Sequence, residues 1–233
     1  MLEAMEKRIS RRTFKKEELT KEEVKTIITL INELNKESNL AFEFIEDGSD
    51  AFSSLIKSYG IFSNVHSLVL LKGKKEQDLK EKCGYYGEEL VLNLTNLNLG
   101  TCWVGATFDK NKFTIEDDEE LVGLIVLGKV DEMSLKERII SSTLRKRRKP
   151  ITDRLITDDT IPEWLEKGME YVLLAPSAKN TQKPLFSYKN KVLTVSVPDD
   201  YEFDLVDLGS ANKHFEFTGG KFEVGNPSKY NLK

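Results

Sequence analysis

Arg8, Ser10 and Arg12 alternate near the start of the chain. An extended backbone turns alternate residues to the same side, so two guanidinium forks and a hydroxyl would face one way. Arginine grips two oxygens of one anion at once, and the trio suits a phosphate; a solvated basic arm is the plainer alternative. A second stretch, Ala175-Pro-Ser-Ala-Lys-Asn-Thr-Gln-Lys-Pro184, gathers Pro176, Ser177, Asn180 and Gln182 in a turn between a helical and a strand-like pattern. Its N–H groups, carboxamides and hydroxyl could hold a bound molecule, although an ordinary connecting loop looks much the same. The third is Thr101-Cys-Trp-Val-Gly-Ala106, in which Trp103 is followed by Val104, Gly105 and Ala106. Read as a loop, it lets backbone approach a flat ligand closely; Trp103 could equally anchor a core.

Periodic segments surround these stretches. Thr20 and Glu23 predict a capping box before Val24, Ile27, Ile28, Ile31 and Leu34 at helical spacing. Leu40–Ile45 reads as a strand, Gly48 closes a turn, and Ala51–Phe62 is a short helix or an irregular segment. Ser67–Leu71 and Leu121–Val130 are apolar enough to be strands covered on both faces. Between them Asp78–Leu99 carries the longest helical pattern, with Gly100 where a left-handed cap belongs. Thr160 and Glu163 predict a second capping box, with Pro162 in the first turn, ahead of a face made by Trp164, Leu165, Gly168, Tyr171, Val172 and Ala175. Strands over Leu185–Tyr188 and Val192–Val197, a helix near Phe203–Phe217 and a strand near Lys221–Val224 complete the pattern. The order capped helix, strands, helix, strand thus occurs twice, as a duplication would leave it. The fold class is α+β, in two pseudo-symmetric halves over 1–140 and 160–233 joined by a basic linker, 141–159.

Composition narrows the function. The 233 residues are 39% hydrophobic and 32% charged, with 35 basic against 39 acidic side chains, so nothing global favours nucleic acid. The dense basic run Arg145–Pro150, which includes Lys146 and Arg148, lacks the interleaved aromatic residues of a single-strand binder. Cys83 and Cys102 read as buried thiols suited to a reducing cytoplasm. Neither a signal-peptide pattern nor an apolar run approaching about 18 residues is present, so a cytoplasmic protein is expected. His66 and His214 read as structural, and the cysteines and histidines lack metal-ligand spacing.

Taken together, the motifs resemble those of the FMN-dependent nitroreductase superfamily. Arg8-x-Ser10-x-Arg12-x-Phe14 is similar to the family's amino-terminal signature, and Pro176-Ser-x-x-Asn180-x-Gln182 to its Pro-Ser-x-x-Asn-x-Gln loop. Leu97-Asn-Leu-Gly-Thr-Cys-Trp-Val-Gly105 resembles its Gly-Leu-Gly-Thr-Cys-Trp-Ile-Gly segment, and Lys146-x-Arg148-x-Pro150 its basic pair near the carboxyl terminus. One departure is informative. In ordinary members the Pro-Ser loop follows the first helix, and two subunits share two FMN sites. In this sequence it follows the second capped helix, and the second half lacks the arginine–serine signature. The resemblance therefore implies a fused pseudo-dimer, monomeric, with one flavin site per chain.

By that resemblance, Arg8, Ser10, Lys146 and Arg148 hold the FMN phosphate, and Arg12 lies near the pyrimidine edge of the ring. Pro176, Ser177, Asn180 and Gln182 belong to the ring and ribityl loop, while Trp103, Val104, Gly105 and Ala106 lie over or beside the ring. The implied activity is ping-pong reduction of a nitroaromatic, a quinone or another small planar oxidant by NAD(P)H. A flavin-binding protein without turnover is the alternative. An enzyme acting on flavin or a halogenated substrate would need a lid, for which Asp47–Asn64 is the candidate.

Overall fold

The computed structural model describes residues 1–53, 62–133 and 135–232, with the backbone alone for Lys136, Leu144 and Arg145. Most of the element expected over Ala51–Phe62, and with it the centre of the lid candidate, lies outside the described residues. The chain divides into two compact units, Met1–Leu79 with Leu90–Ser141, and Lys80–Glu89 with Ser142–Lys233. Among the described residues no helix is long and apolar enough to cross a membrane.

The first unit contains α1 (Leu2–Lys7), α2 (Lys21–Ser38), β1 (Glu43–Ile45), β2 (Ser67–Lys74), the second half of α3 (Leu79–Asn96), β3 (Gly100–Val104), β4 (Glu119–Gly128) and the start of α4 (Leu135–Lys146). Its sheet is antiparallel throughout, in the order β1-β2-β4-β3. Leu68–Leu71 and Leu121–Leu127 are buried at every position, which is why β2 and β4 read as continuous apolar runs. The α2 capping box forms as expected: the Thr20 hydroxyl accepts from Glu23 N at 3.2 Å and the Glu23 carboxylate accepts from Thr20 N at 2.7 Å. Ile27, Ile31 and Leu34 are buried, while Ile28 stays exposed. Phe14, Leu68, Leu70, Cys102, Val104, Leu124 and Val126 share one core.

The second unit contains the first half of α3, β5 (Leu155–Thr157), α5 (Glu163–Val172), β6 (Leu185–Lys189), β7 (Val192–Ser196), α6 (Asp204–Phe215), β8 (Lys221–Phe222) and β9 (Ser228–Asn231). The strand order is β5-β6-β7-β9-β8; β5 runs parallel to β6 and the other pairs are antiparallel. Asn190 and Lys191 join β6 to β7 with φ 52° and 62°, the mirror-image turn that matches strand twist. The core joins Leu165, Met169, Val172, Phe186, Leu193, Val195, Leu208 and Phe215, with Trp164 packed against it and stacked on Tyr230 at 5.4 Å.

Several local expectations are corrected. The left-handed residue after α3 is Asn98 (φ 60°), not Gly100, which instead opens β3. A Cβ at Gly100 would meet Val130 Cγ1 at 2.3 Å and the Arg11 side chain at 3.1 Å, so glycine is required there by close packing. Thr101–Val104, read as loop, is strand, because β4 supplies hydrogen-bonding partners that composition does not reveal. The second capping box does not form: Pro162 is the N-cap of α5, with no side-chain cap bond, and Thr160 lies outside the helix. Elements α1, α4, β5 and β9 have no counterpart in the expected pattern.

Candidate functional site

In the first unit the arm Arg8–Phe14 lies extended beside β3. Arg11 N donates to Thr101 O at 2.8 Å, Ser63 N donates to Arg12 O at 2.9 Å and Phe14 N donates to Ser63 O at 3.1 Å. The backbone is thus held on both sides. Arg11 turns to Glu137 Oε1 at 3.2 Å and Asp131 O at 2.9 Å, and is buried. Arg8, Ser10 and Arg12 all lie near enough to Cys102 to act on its thiol. Burial pushes the Cys102 thiol up, while the Arg12 guanidinium, the Ser10 hydroxyl and the Arg8 guanidinium act against that shift. All three arm residues are half-buried, and Arg8 Nε is fully enclosed.

Strand β3 orders the next group of expected residues. Cys102 and Val104 enter the core, whereas Trp103, opposite Ile125, lies on the other face and is half-buried. Gly105 and Ala106 follow the last paired residue, partly and largely exposed respectively. The arm and the Trp103–Ala106 segment are thus joined through the pairing of Ser10 with Thr101.

In the second unit the Pro-Ser loop leaves α5 through Leu174 N to Tyr171 O and Ala175 N to Val172 O. Ser177 is extended, and Ala178–Asn180 form a short helical turn. Lys179, Asn180 and Gln182 all have left-handed backbone, with φ 52°, 58° and 52°. Asparagine tolerates this conformation; for the other two it is strained, and fixed contacts must hold it. The Ser177 hydroxyl accepts from Gln182 N at 3.0 Å, and Thr181 Oγ1 donates to Ala178 O at 3.0 Å. Gln182 Oε1 accepts from Lys149 N at 2.9 Å, and its Nε2 donates to Arg147 O and Asn180 O, both at 3.2 Å. The buried Gln182 carboxamide therefore clamps the basic run onto the loop. On that run Lys146 is exposed and Arg148 half-buried.

Beneath the loop lies a charged cluster that sequence reading missed. Ala178 N donates to both oxygens of Asp207, at 2.9 and 3.1 Å. Lys183 Nζ donates to Asp204 at 2.9 Å and to Asp200 at 2.5 Å. Burial pushes Asp207 up to about 7, against the pull of the Ala178 N–H and with Asp204 adding to the rise. Burial likewise brings Arg154 down to about 10. Arg154 Nε and Asp204 Oδ1 have no hydrogen-bond partner among the described residues. A signal for these residues existed: Asp204 and Asp207 fall in helical phase with Leu208, Ala211 and Phe215, so acids occupy an apolar face.

The sequence matches the family described as "Putative TM nitroreductase" over residues 1–219. Among solved structures, the chain is similar to a protein described as a "putative nitroreductase" from Thermotoga maritima. The two are 22% identical, with a TM-score of 0.60, over 98% of this chain and 90% of that one. A nitroreductase family protein from Clostridium difficile is 16% identical, with a TM-score of 0.51, over 69% of this chain and 99% of its own. A nitroreductase with bound FMN from Bacteroides fragilis is 15% identical, with a TM-score of 0.45, over 70% and 94%. No curated protein matches. A family match that extends from the arginine arm through the Pro-Ser loop to residue 219 establishes that the chain belongs to the nitroreductase family and has its fold.

Proposed function

We propose that the protein is an FMN-dependent oxidoreductase that reduces nitroaromatics, quinones or similar electron-poor compounds with NAD(P)H in a ping-pong cycle. The observation that carries this reading is the arm paired with β3 at Ser10 and Thr101, on which Arg8, Ser10 and Arg12 all act on Cys102. The Arg8 guanidinium and the Ser10 hydroxyl fit the phosphate of FMN in charge and donor type, and family membership supports the same assignment. Lys146 and Arg148 add cationic groups for the phosphate. Arg12 favours negative charge at the pyrimidine edge. Pro176, Ser177 and Asn180 serve the ring and ribityl chain, Gln182 holding their loop in shape. Trp103 to Ala106 lie against the ring, with the N–H of Gly105 or Ala106 toward N5.

When bound, FMN supplies the hydride chemistry between nicotinamide and oxidant. The residues of this chain bind it, orient it and keep the reacting face dry; none needs to act as a nucleophile or to move a proton. The proposal includes a cytoplasmic monomer, built as an internal pseudo-dimer with halves over 1–140 and 160–233.

Purified protein should be yellow, with one FMN per chain, and should bleach promptly when NAD(P)H is added anaerobically. Tightly bound FMN that never bleaches would instead support a binding protein without turnover. Arg8→Ala and Ser10→Ala should each weaken FMN binding, the arginine by roughly tenfold to a hundredfold, the worth of a charged hydrogen bond. A colourless protein that cannot be reconstituted with FMN would overturn the proposal.

A further inference from the structure

We propose that Asp207 is the positioning residue of the 177–182 loop, and that gain or loss of its proton sets how tightly that loop holds the flavin. The inference rests on the flavin reading above and adds a control that the family motifs do not contain. Its basis is geometric. Asp207 is buried on the first turn of α6, and its carboxylate takes the Ala178 N–H with both oxygens. That N–H opens the turn in which Lys179, Asn180 and Gln182 are held left-handed. The loop is thus a strained segment fixed at one end by Asp207 and at the other by the Gln182 clamp.

Three charged groups face the carboxylate. Asp204, one turn earlier on α6, repels its charge, while Lys183, just after the loop, and Arg154, ahead of β5, attract it. Lys183 is already engaged by Asp204 and Asp200. Arg154 is itself buried and donates to Val172 O. Among the described residues Asp207 therefore loses hydration without gaining an ion pair of its own, and its proton exchanges near neutrality. The ionised form is the stronger acceptor for the Ala178 N–H. The loop is accordingly tight above neutral pH and slack below it.

Two readings test this on the intact chain. The first needs no flavin: the Ala178 amide proton shift is followed by NMR from about pH 5.5 to about pH 8.5, a range that brackets the transition. It should move with one midpoint near neutrality, and Asp207→Asn should abolish the movement. The second is FMN affinity over the same range, which should fall roughly fivefold as Asp207 takes up its proton. A phosphate monoester also titrates at about pH 6, but that part of the dependence persists in Asp207→Asn, so the difference between the two proteins isolates Asp207. If Asp207→Asn does not fold, Ala178→Pro removes the same N–H. The extended Ser177 before it (φ −149°, ψ 152°) accepts a following proline. A flat Ala178 titration in the wild type overturns the proposal whether or not flavin binds. A titrating Ala178 in a protein that binds no FMN at any pH means that the flavin reading has failed, and the control of affinity falls with it. Titration with FMN affinity unchanged relative to Asp207→Asn overturns the inference and leaves the flavin reading intact.

Discussion

Asp207 also leaves a mark on stability that is separate from any ligand. Its ordinary value of 3.8 holds in the unfolded chain, and the folded state raises it to about 7. Between those limits the folded protein binds a proton that the unfolded chain does not. Stability from this group is therefore full in acid and is lost as pH rises through about 4 to about 7. At about 1.4 kcal/mol per unit, the loss amounts to a few kcal/mol. Urea midpoints at the two ends of that range should differ less in Asp207→Asn than in the wild type. Gln182 makes a different residue-scale prediction. Gln182→Leu removes the bonds to Lys149 N and Arg147 O, whose residues are exposed and can turn to water instead, and should destabilise the protein by about 0.5–1.5 kcal/mol. If the clamp shapes the loop, FMN affinity should fall in the variant even at a temperature where it is fully folded.

At the scale of elements, the second unit is organised by the contact of α6 with the first half of α3. Gly84 and Gly209 let the backbones touch: a Cβ on Gly209 would lie 2.0 Å from Glu81 O, and one on Gly84 2.0 Å from Val206 O. Around that contact the helices are tied by polar pairs. Lys213 Nζ donates to Glu89 at 2.7 Å, and the Tyr85 hydroxyl donates to Glu216. His214 Nε2 meets Glu88 Oε1 at 2.9 Å, and its Nδ1 lies 3.1 Å from Tyr171 O. The carbonyl can only accept, so Nδ1 is the donor to Tyr171 O, and the His214–Glu88 pair is fully buried. Gly209→Ala puts a methyl against backbone that cannot rotate away. It should destabilise by about 3 kcal/mol or prevent folding, measured as a lower thermal midpoint with no change in the pH dependence assigned to Asp207.

For the whole molecule the testable quantities are mass and stoichiometry. A single-chain pseudo-dimer should sediment at the 26.6 kDa of one chain and bind one FMN. An obligate dimer with flavins shared between chains would defeat the fused arrangement while leaving family membership untouched. The two results are separable because the family match extends over residues 1–219 of a single chain.

What the sequence determined by itself was local. The capping box of α2 is a local feature of Thr20 and Glu23, although the same spacing at Thr160 and Glu163 makes no cap because Pro162 begins that helix. The buried strands β2 and β4 announce themselves as apolar runs, and the two-residue spacing of Arg8, Ser10 and Arg12 is legible without any partner. What only the tertiary structure decided depends on distances that spacing does not encode. Thr101–Val104 becomes strand because β4 and the arm lie on either side of it. The first half of α3 belongs to one unit and the second half to the other, although its helical pattern is unbroken. Gln182 finds Lys149 thirty-three residues upstream. The acid strength of Asp207 is set by how much water the fold removes, and desolvation is a property of the packed neighbourhood rather than of any stretch of chain.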